Sequence, residues 1–101
     1  MRNKEFNTLL NNRIRCIKST LASKGLEYST TDRLHNFKVA ARIDNVTTLQ
    51  ASWGMFLKHL VSIIDIKDKS QIPTIEMVDE KFCDAINYLI LMEAIIKEDL
   101  E

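Results

Sequence analysis

A strip of polar side chains lies within the last long hydrophobic segment, "DEKFCDAINYLILMEAII", residues 79–96. Glu80, Asp84, Asn87 and Tyr88 recur at spacings of three or four, so on an α-helix they lie on one side, about one turn apart. Two carboxylates one turn apart repel each other by roughly 0.2–0.5 kcal/mol in solvent, and burial raises that cost. A partly enclosed strip of this kind needs a metal ion, a basic side chain or a proton to offset the repulsion.

The position of the two acids has a simpler explanation. Glu80 and Asp84 lie near the start of the predicted helix, where the helix dipole favours negative charge and solvent is close. Asn87 and Tyr88 favour a site, because they carry the polar strip into the apolar part of the helix and need hydrogen-bond partners there.

A second polar strip lies in "KHLVSIID". Lys58, Ser62 and Asp65 follow at spacings of four and three, with His59 beside them. Lys58 suits a phosphate at one end of the strip and Asp65 suits a metal ion at the other. A single histidine on an apolar helix is more often a core residue with a satisfied hydrogen bond than a ligand, so His59 has both interpretations.

A third polar group precedes "FKVAARI". Asp32 and Asn36 are four residues apart, and His35 lies between them. Local capping of a helix explains Asp32 as well as chemistry does. Three helices that each place a polar strip beside an apolar one are typical of a bundle that builds a site from facing helices.

Carboxylates, amides and a lysine are the groups that hold Mg²⁺ against a pyrophosphate, because the ion prefers oxygen ligands and a cation neutralises the phosphates. The sequence contains no glycine-rich phosphate loop and no H-E-x-x-H, G-x-S-x-G or paired C-x-x-C motif. Cys16 and Cys83 have no Cys or His neighbour at ligand spacing, so we interpret both as reduced packing residues of a cytoplasmic protein.

The composition predicts that these strips lie on helices. The 101 residues are 46% hydrophobic and contain two glycines and one proline, too few for many tight turns. We expect an all-α fold, a bundle of about four helices forming one domain over residues 1–101. Apolar periodicity places the helices near 4–24, 31–43, 47–66 and 74–99.

Local signals set the predicted ends of these helices. Gly25 ends the first helix, Ser29 or Thr31 caps the second, and Pro73 lies where the fourth begins. The fourth helix is apolar on most sides, so it lies either in the centre of the bundle or at an interface with a second copy.

The charge distribution limits the classes of partner. Fourteen basic and fourteen acidic residues give zero net charge, which disfavours nucleic acid as the main partner. The N-terminal segment is basic and the C-terminal segment acidic, so the two attract each other within or between protomers, unless both are simply solvated faces. No secretory segment and no apolar run of membrane-spanning length is present in these residues, so we expect no membrane partner.

Three stretches, "KGLEYSTTDRLHNFKVAA", "WGMFLKHLVSIID" and "EKFCDAINYLILMEAIIKE", resemble small phage and prophage proteins of the nucleotide-modification-associated type. These proteins are similar in layout to the all-α NTP pyrophosphatase (MazG-like) superfamily. The resemblance covers about residues 24–98. The residues that carry it most specifically are Glu27, Tyr28, Asp32, Asn36, Phe37, Lys58, His59, Glu80, Asp84, Asn87 and Tyr88.

The resemblance implies a dimer or tetramer with a site for a nucleotide phosphate chain and Mg²⁺. It implies Glu80 and Asp84 as metal ligands and Lys58 as a phosphate contact, with these three residues as the catalytic groups. Asp65 of the second polar strip is a further candidate metal ligand. Substrate contacts would come from Asp32, Asn36, His59, Asn87 and Tyr88. The superfamily usually carries a glutamate-rich pair on one helix and a Glu-x-x-Asp on the next. The sequence departs from this pattern, because Glu80 and Asp84 are four apart and no helix supplies a dense glutamate pair.

Two functions are therefore expected from the sequence. The first is Mg²⁺-dependent nucleotide binding, or cleavage of a nucleoside triphosphate to the monophosphate and pyrophosphate. The second is a non-catalytic helical interaction protein, a homo-oligomer that binds a host or phage protein through its basic and acidic surfaces. Nucleic-acid binding by the first helix is least favoured, because Phe6 is its only aromatic residue.

Overall fold

A computed structural model describes residues 1–27, 32–70 and 72–101. These residues form four α-helices and no strand: α1 (Asn3–Glu27), α2 (His35–Asp44), α3 (Thr48–Lys67) and α4 (Ile75–Asp99). The predicted all-α, single-domain fold is confirmed. None of the four helices is both long and apolar enough to cross a membrane in the described part of the chain.

The end of α1 differs from the prediction. The helix continues through Gly25 to Glu27, so the expected stop at Gly25 is wrong. A glycine inside a helix costs only about 1 kcal/mol relative to alanine, and the helix can carry that cost near its end. The caps expected at Ser29 and Thr31 lie outside the described residues.

The start of α2 also differs, because α2 begins at His35 and not near residue 31. The Asp32 carboxylate accepts a hydrogen bond from the Leu34 N–H at 3.0 Å, and the Asp32 carbonyl accepts one from the His35 N–H at 3.1 Å. These bonds form a turn that leads into the helix, and an aspartate favours such a turn over a helical start. α2 ends at Asp44, and the capping residue Asn45 adopts the left-handed conformation (φ 54°) that asparagine tolerates.

The starts of α3 and α4 follow from two capping threonines. The Thr47 hydroxyl accepts from the Gln50 N–H at 3.1 Å, and the Gln50 side chain accepts from the Thr47 N–H at 2.9 Å, which completes a capping box. The Thr74 hydroxyl accepts from the Met77 N–H at 3.1 Å. Both helices therefore start within one residue of the predicted bounds, and Pro73 lies just before the second cap.

The helix α4 lies between α1 and α3, and α2 packs on α3. The core between α2, α3 and α4 consists of Leu34, Phe37, Phe56, Ala85, Met92 and Ile95, all buried. α3 and α4 are antiparallel, since His59 meets Asp84 while Leu49, nearer the start of α3, packs against the core clusters that contain Met92 and Ile95 near the end of α4.

The helix α1 runs parallel to α4. Arg13 donates to the Asp79 carbonyl, Cys16 contacts Cys83, and Leu21 lies beside residues 90 and 91. Because this register aligns residue 13 with residue 79, the first turns of α1 extend beyond the start of α4 at residue 75. The apolar residues on that extension and just after it are exposed: Phe6, Leu9, Leu10 and Ile14.

Candidate functional site

A polar recess lies among the four helices. Its volume is about 130 Å³. It is lined by Thr20 and Leu21 of α1, Phe37 of α2, His59 of α3, and Asp84, Asn87, Tyr88 and Leu91 of α4. The recess thus brings together four of the residues predicted from the sequence as site residues, namely His59, Asp84, Asn87 and Tyr88.

The geometry of the recess centres on His59. Its Nδ1 lies 3.8 Å from the Asp84 Oδ2, a distance at which the pair attracts electrostatically when the histidine is protonated. Its ring lies 4.7 Å from the Tyr88 ring at an interplanar angle of 32°. Tyr88 in turn meets Phe37 edge to face, with ring centroids 6.2 Å apart. Three aromatic rings and one carboxylate therefore form adjoining walls.

Asn87 is the buried polar residue of the recess. It is 5% exposed, and its Nδ2 donates to the Cys83 Sγ at 3.7 Å, a weak interaction. Its Oδ1 is buried and accepts no hydrogen bond from the described residues. A buried acceptor without a partner costs about 1–3 kcal/mol, so the protein maintains an amide here that packing alone would not favour.

The predicted metal ligands are separated. Glu80 lies one turn before Asp84, but its side chain is 64% exposed, with the Lys81 ammonium 3.9 Å away. Asp65 lies six residues beyond His59 on α3, about 9 Å along the axis. No group of three His, Cys, Asp or Glu side chains within residues 1–27, 32–70 and 72–101 could hold a metal ion. The structure therefore presents no preassembled Mg²⁺ site in these residues.

The remaining predicted residues also lie outside the recess. Lys58 and Asn36 are exposed on α3 and α2. Asp32 accepts a hydrogen bond from the Lys38 ammonium at 2.7 Å, and Lys38 also contacts the carboxylate of Glu98 near the end of α4. The Lys38 hydrogen bond holds the pKa of Asp32 below its usual value, and the same bond raises the pKa of Lys38. Asp32 thus belongs to an ion-pair cluster that links α2 to the end of α4.

A pair of thiols lies next to the recess. The Sγ atoms of Cys16 on α1 and Cys83 on α4 are 2.7 Å apart, and both cysteines are free. Burial, with a smaller effect of the Cys16 hydrogen bond, raises the pKa of the Cys83 thiol to about 11. Sequence reasoning interpreted each cysteine alone, because residues 67 positions apart carry no local signal of contact.

An apolar groove of about 990 Å³ lies between α3 and α4. Its apolar walls come from Val46, Leu49, Trp53, Leu89, Met92, Ile96 and Leu100. Gln50, Glu93 and Lys97 form its polar edge, where Lys97 and Glu93 already pair with each other.

Comparisons of this chain with protein-family models, with curated proteins and with solved structures find no match.

Proposed function

We propose that this chain binds a nucleotide, with the base held in the recess formed by His59, Asp84, Asn87 and Tyr88. The observation that carries the proposal is Asn87, an amide held in a nearly dry position with an unpaired oxygen. Proteins read a nucleobase by stacking it against aromatic side chains and by hydrogen bonds to its polar edge. The rings of His59 and Tyr88 beside two oxygen acceptors supply both kinds of contact.

The two oxygen acceptors in the recess determine which edge of a base can bind there. The Asp84 carboxylate and the Asn87 oxygen both accept hydrogen bonds, so they favour an edge that donates from amino or imino N–H groups. The terminal torsion of an asparagine is soft, so the Asn87 amide can turn its oxygen or its nitrogen toward the ligand at low cost. A ligand that donates to this oxygen relieves the buried acceptor.

The size of the recess limits how much of the ligand it holds. Its volume of about 130 Å³ corresponds to about four water molecules at roughly 30 Å³ each, and it lies below the roughly 300 Å³ at which sites for larger ligands begin. The recess therefore takes a single planar group, and the sugar and phosphates remain outside. Lys58, exposed next to His59 in the chain, is the phosphate contact that the resemblance implies.

In this proposal Mg²⁺ binds only together with the phosphates of the nucleotide. Mg²⁺ is usually bound by one or two carboxylates together with substrate phosphates, and the described residues offer Asp84 with Glu80 one turn away but no third ligand. No hydrolytic step follows from these residues. Cleavage of a nucleoside triphosphate stays a prediction of the resemblance.

Calorimetric titration of the full chain with nucleosides, monophosphates and triphosphates, with and without Mg²⁺, tests the proposal. We expect at least one base to bind, and Asp84→Asn to weaken its binding tenfold or more because a charged acceptor is lost. In the titrations without Mg²⁺, Glu80→Gln is the matched control, because Glu80 lies on the same helix but projects into solvent. No binding by any nucleotide, or equal loss in both variants, would contradict a base site in the recess.

A second candidate function, binding of a protein partner, is supported by the apolar groove between α3 and α4. A groove with these walls is typical of surfaces that receive an apolar helix face. The test of this candidate is the assembly state of the chain, which does not depend on nucleotide.

A further inference from the structure

The Asp84 carboxylate is a charged acceptor at the solvent side of the recess. Its side chain is 36% exposed, and it lines the recess together with His59 and Tyr88. The His59 Nδ1 lies 3.8 Å from the Asp84 Oδ2, beyond the range of a hydrogen bond, so this contact leaves both carboxylate oxygens able to accept from a ligand. A carboxylate can accept two parallel hydrogen bonds from one planar group. Asp84 therefore matches a ligand edge that presents two N–H donors side by side.

The two rings beside this carboxylate limit where a base can lie. The ring centroids of His59 and Tyr88 are 4.7 Å apart, whereas a ring inserted between two others needs about 7 Å, twice the roughly 3.5 Å separation of stacked carbon atoms. A base therefore stacks on one side of the pair and not between the two rings. Because Asp84 lies 3.8 Å from a nitrogen of the His59 ring, a base stacked on His59 brings its polar edge beside the carboxylate.

The common bases differ in the donors on the edge that pairs in a duplex. Guanine presents its N1–H next to its 2-amino group, so two N–H donors point the same way. Adenine and cytosine present one amino group beside a ring-nitrogen acceptor, and uracil and thymine present one N–H between two carbonyl oxygens. Each of these four bases would place an acceptor against the Asp84 carboxylate. In the described part of the chain, no lysine or arginine lines the recess to offset that repulsion.

We propose that the nucleotide bound by this chain carries guanine, whose N1–H and 2-amino group donate to the two oxygens of Asp84. This inference rests on the proposed function and specifies its base. The guanine O6 next to N1–H needs a donor, and the Thr20 hydroxyl lines the same recess. The second amino hydrogen remains for the Asn87 oxygen once that amide turns, which relieves the buried acceptor.

Titrations of the full chain with the monophosphates of guanosine, inosine, adenosine, cytidine and uridine, without Mg²⁺, test the proposal. The five ligands share their sugar and phosphate, so differences in affinity come from the base. Inosine monophosphate gives the sharpest comparison, because its base is guanine without the 2-amino group. We expect guanosine monophosphate to bind about tenfold or more tighter than inosine monophosphate, because the latter lacks one hydrogen bond to a charged acceptor. It should also bind tighter than the other three ligands.

The substitution Asp84→Asn gives a second readout, a change of base preference. The amide offers one acceptor and one donor in place of two acceptors. Xanthine keeps the N1–H of guanine but has a carbonyl oxygen in place of the 2-amino group, so it matches the amide. We expect Asp84→Asn to weaken binding of guanosine monophosphate about tenfold or more and to bind xanthosine monophosphate tighter than the wild type does. A gain of affinity cannot come from misfolding.

Asp99→Asn is the matched control for this variant. It makes the same chemical change at an exposed position of α4, about 22 Å along the helix axis from Asp84. The base preference of the wild type should be retained in Asp99→Asn. The same change in preference in both variants would mean that the net charge of the chain is responsible, and would overturn the role of Asp84.

The other outcomes separate this inference from the proposed function. If inosine monophosphate binds as tightly as guanosine monophosphate, or another base binds more tightly, guanine is wrong while the base site stands. If Asp84→Asn keeps the preference for guanine, the carboxylate does not read the base. If methylguanidine binds and no nucleotide does, the recess is a site for an organic cation. That result, or no binding at all, would contradict the proposed function as well.

Discussion

Cys16 and Cys83 show how one residue pair can report on the packing of a whole helix. Their Sγ atoms are 2.7 Å apart, and among the described helices the backbone of α1 comes close only to that of α4. The thiols therefore lie at the contact that holds α1 in place. A reaction that modifies either thiol therefore alters the contact between α1 and α4.

We predict that diamide, a two-electron azo oxidant, joins Cys16 and Cys83 within one chain. Each thiol gives up its proton and one electron to diamide, and the S–S bond forms. Thiol titration should fall to zero with no chain-doubled species on non-reducing gels. Closing a loop of 67 positions raises the stability of the oxidised chain by up to about 4 kcal/mol in the chain-entropy account.

Cys16→Ser is the control for this oxidation. The remaining thiol, Cys83, is buried, and burial raises its pKa above the ordinary value, so it should react slowly. Disulfide-linked dimers of the wild-type chain, or two thiols still titrating after oxidation, would contradict the contact between α1 and α4.

At the scale of helices, the capping residues explain why some ends could be predicted and others could not. Thr47 and Thr74 are local signals with one good interpretation, so the starts of α3 and α4 could be read from the sequence. Asp32 has two interpretations, a cap or a preceding turn, and the hydrogen bonds to Leu34 and His35 favour the turn. Whether Gly25 ends α1 depends on whether the residues after it are helical, and no local sequence signal decides that.

The residues of the candidate site could also be predicted only in part from the sequence. Helical spacing places Asp84, Asn87 and Tyr88 on one side of α4, and the structure brings them to the recess with His59. Spacing within one helix cannot say which neighbouring helix that side meets, so it grouped exposed Glu80 with them. Phe37 and Thr20 line the recess because of long-range packing that only the fold reveals.

We predict that Thr47→Ala lowers the free energy of unfolding by about 1 kcal/mol, because it removes the acceptor of the Gln50 N–H. For a domain of this size that loss lowers the melting temperature by about 4–8 °C. Thr48→Ala is the matched control, because Thr48 begins the helix and takes no part in the capping box. Equal losses in both variants would mean that the cap contributes nothing of its own.

At the scale of the whole molecule, the Lys38 ammonium links the segment before α2 to the end of α4. It bonds to Asp32 ahead of α2 and contacts the carboxylate of Glu98 at the end of α4. Because α2 and α4 are separated in sequence by α3, this cluster joins the first and last elements of the core. Its ion pairs add to the apolar contacts of the same junction, where Leu34 and Phe37 pack in one buried cluster with Ile95.

We predict that the stabilising effect of Lys38 depends on pH. Asp32 has a lowered pKa in the folded chain, so its contribution is present above its ordinary value of 3.8 and is lost as the pH falls through the lowered value. Lys38 has a raised pKa, so its contribution is present below 10.5 and is lost as the pH rises through the raised value. Between these limits the wild type should melt above Lys38→Met.

Melting temperatures of both proteins across pH 2 to 12 provide the measurement. The difference between them should shrink toward both extremes. Lys67→Met is the control, because the Lys67 ammonium pairs with the adjacent Asp68 at 2.6 Å and joins no two helices. A difference that stays constant with pH would mean that Lys38 acts through its aliphatic stem alone.

The parallel packing of α1 on α4 has a consequence for the termini. Since both helices point the same way, Met1 and Glu101 lie toward opposite ends of a molecule 44 Å long. A flexible glycine-serine linker has an r.m.s. span of about 5–6 Å times the square root of its length, so it would need roughly 50 or more residues to match that separation. Circular permutation is therefore unfavourable for this chain, and reporter domains fused at the two termini would be held far apart.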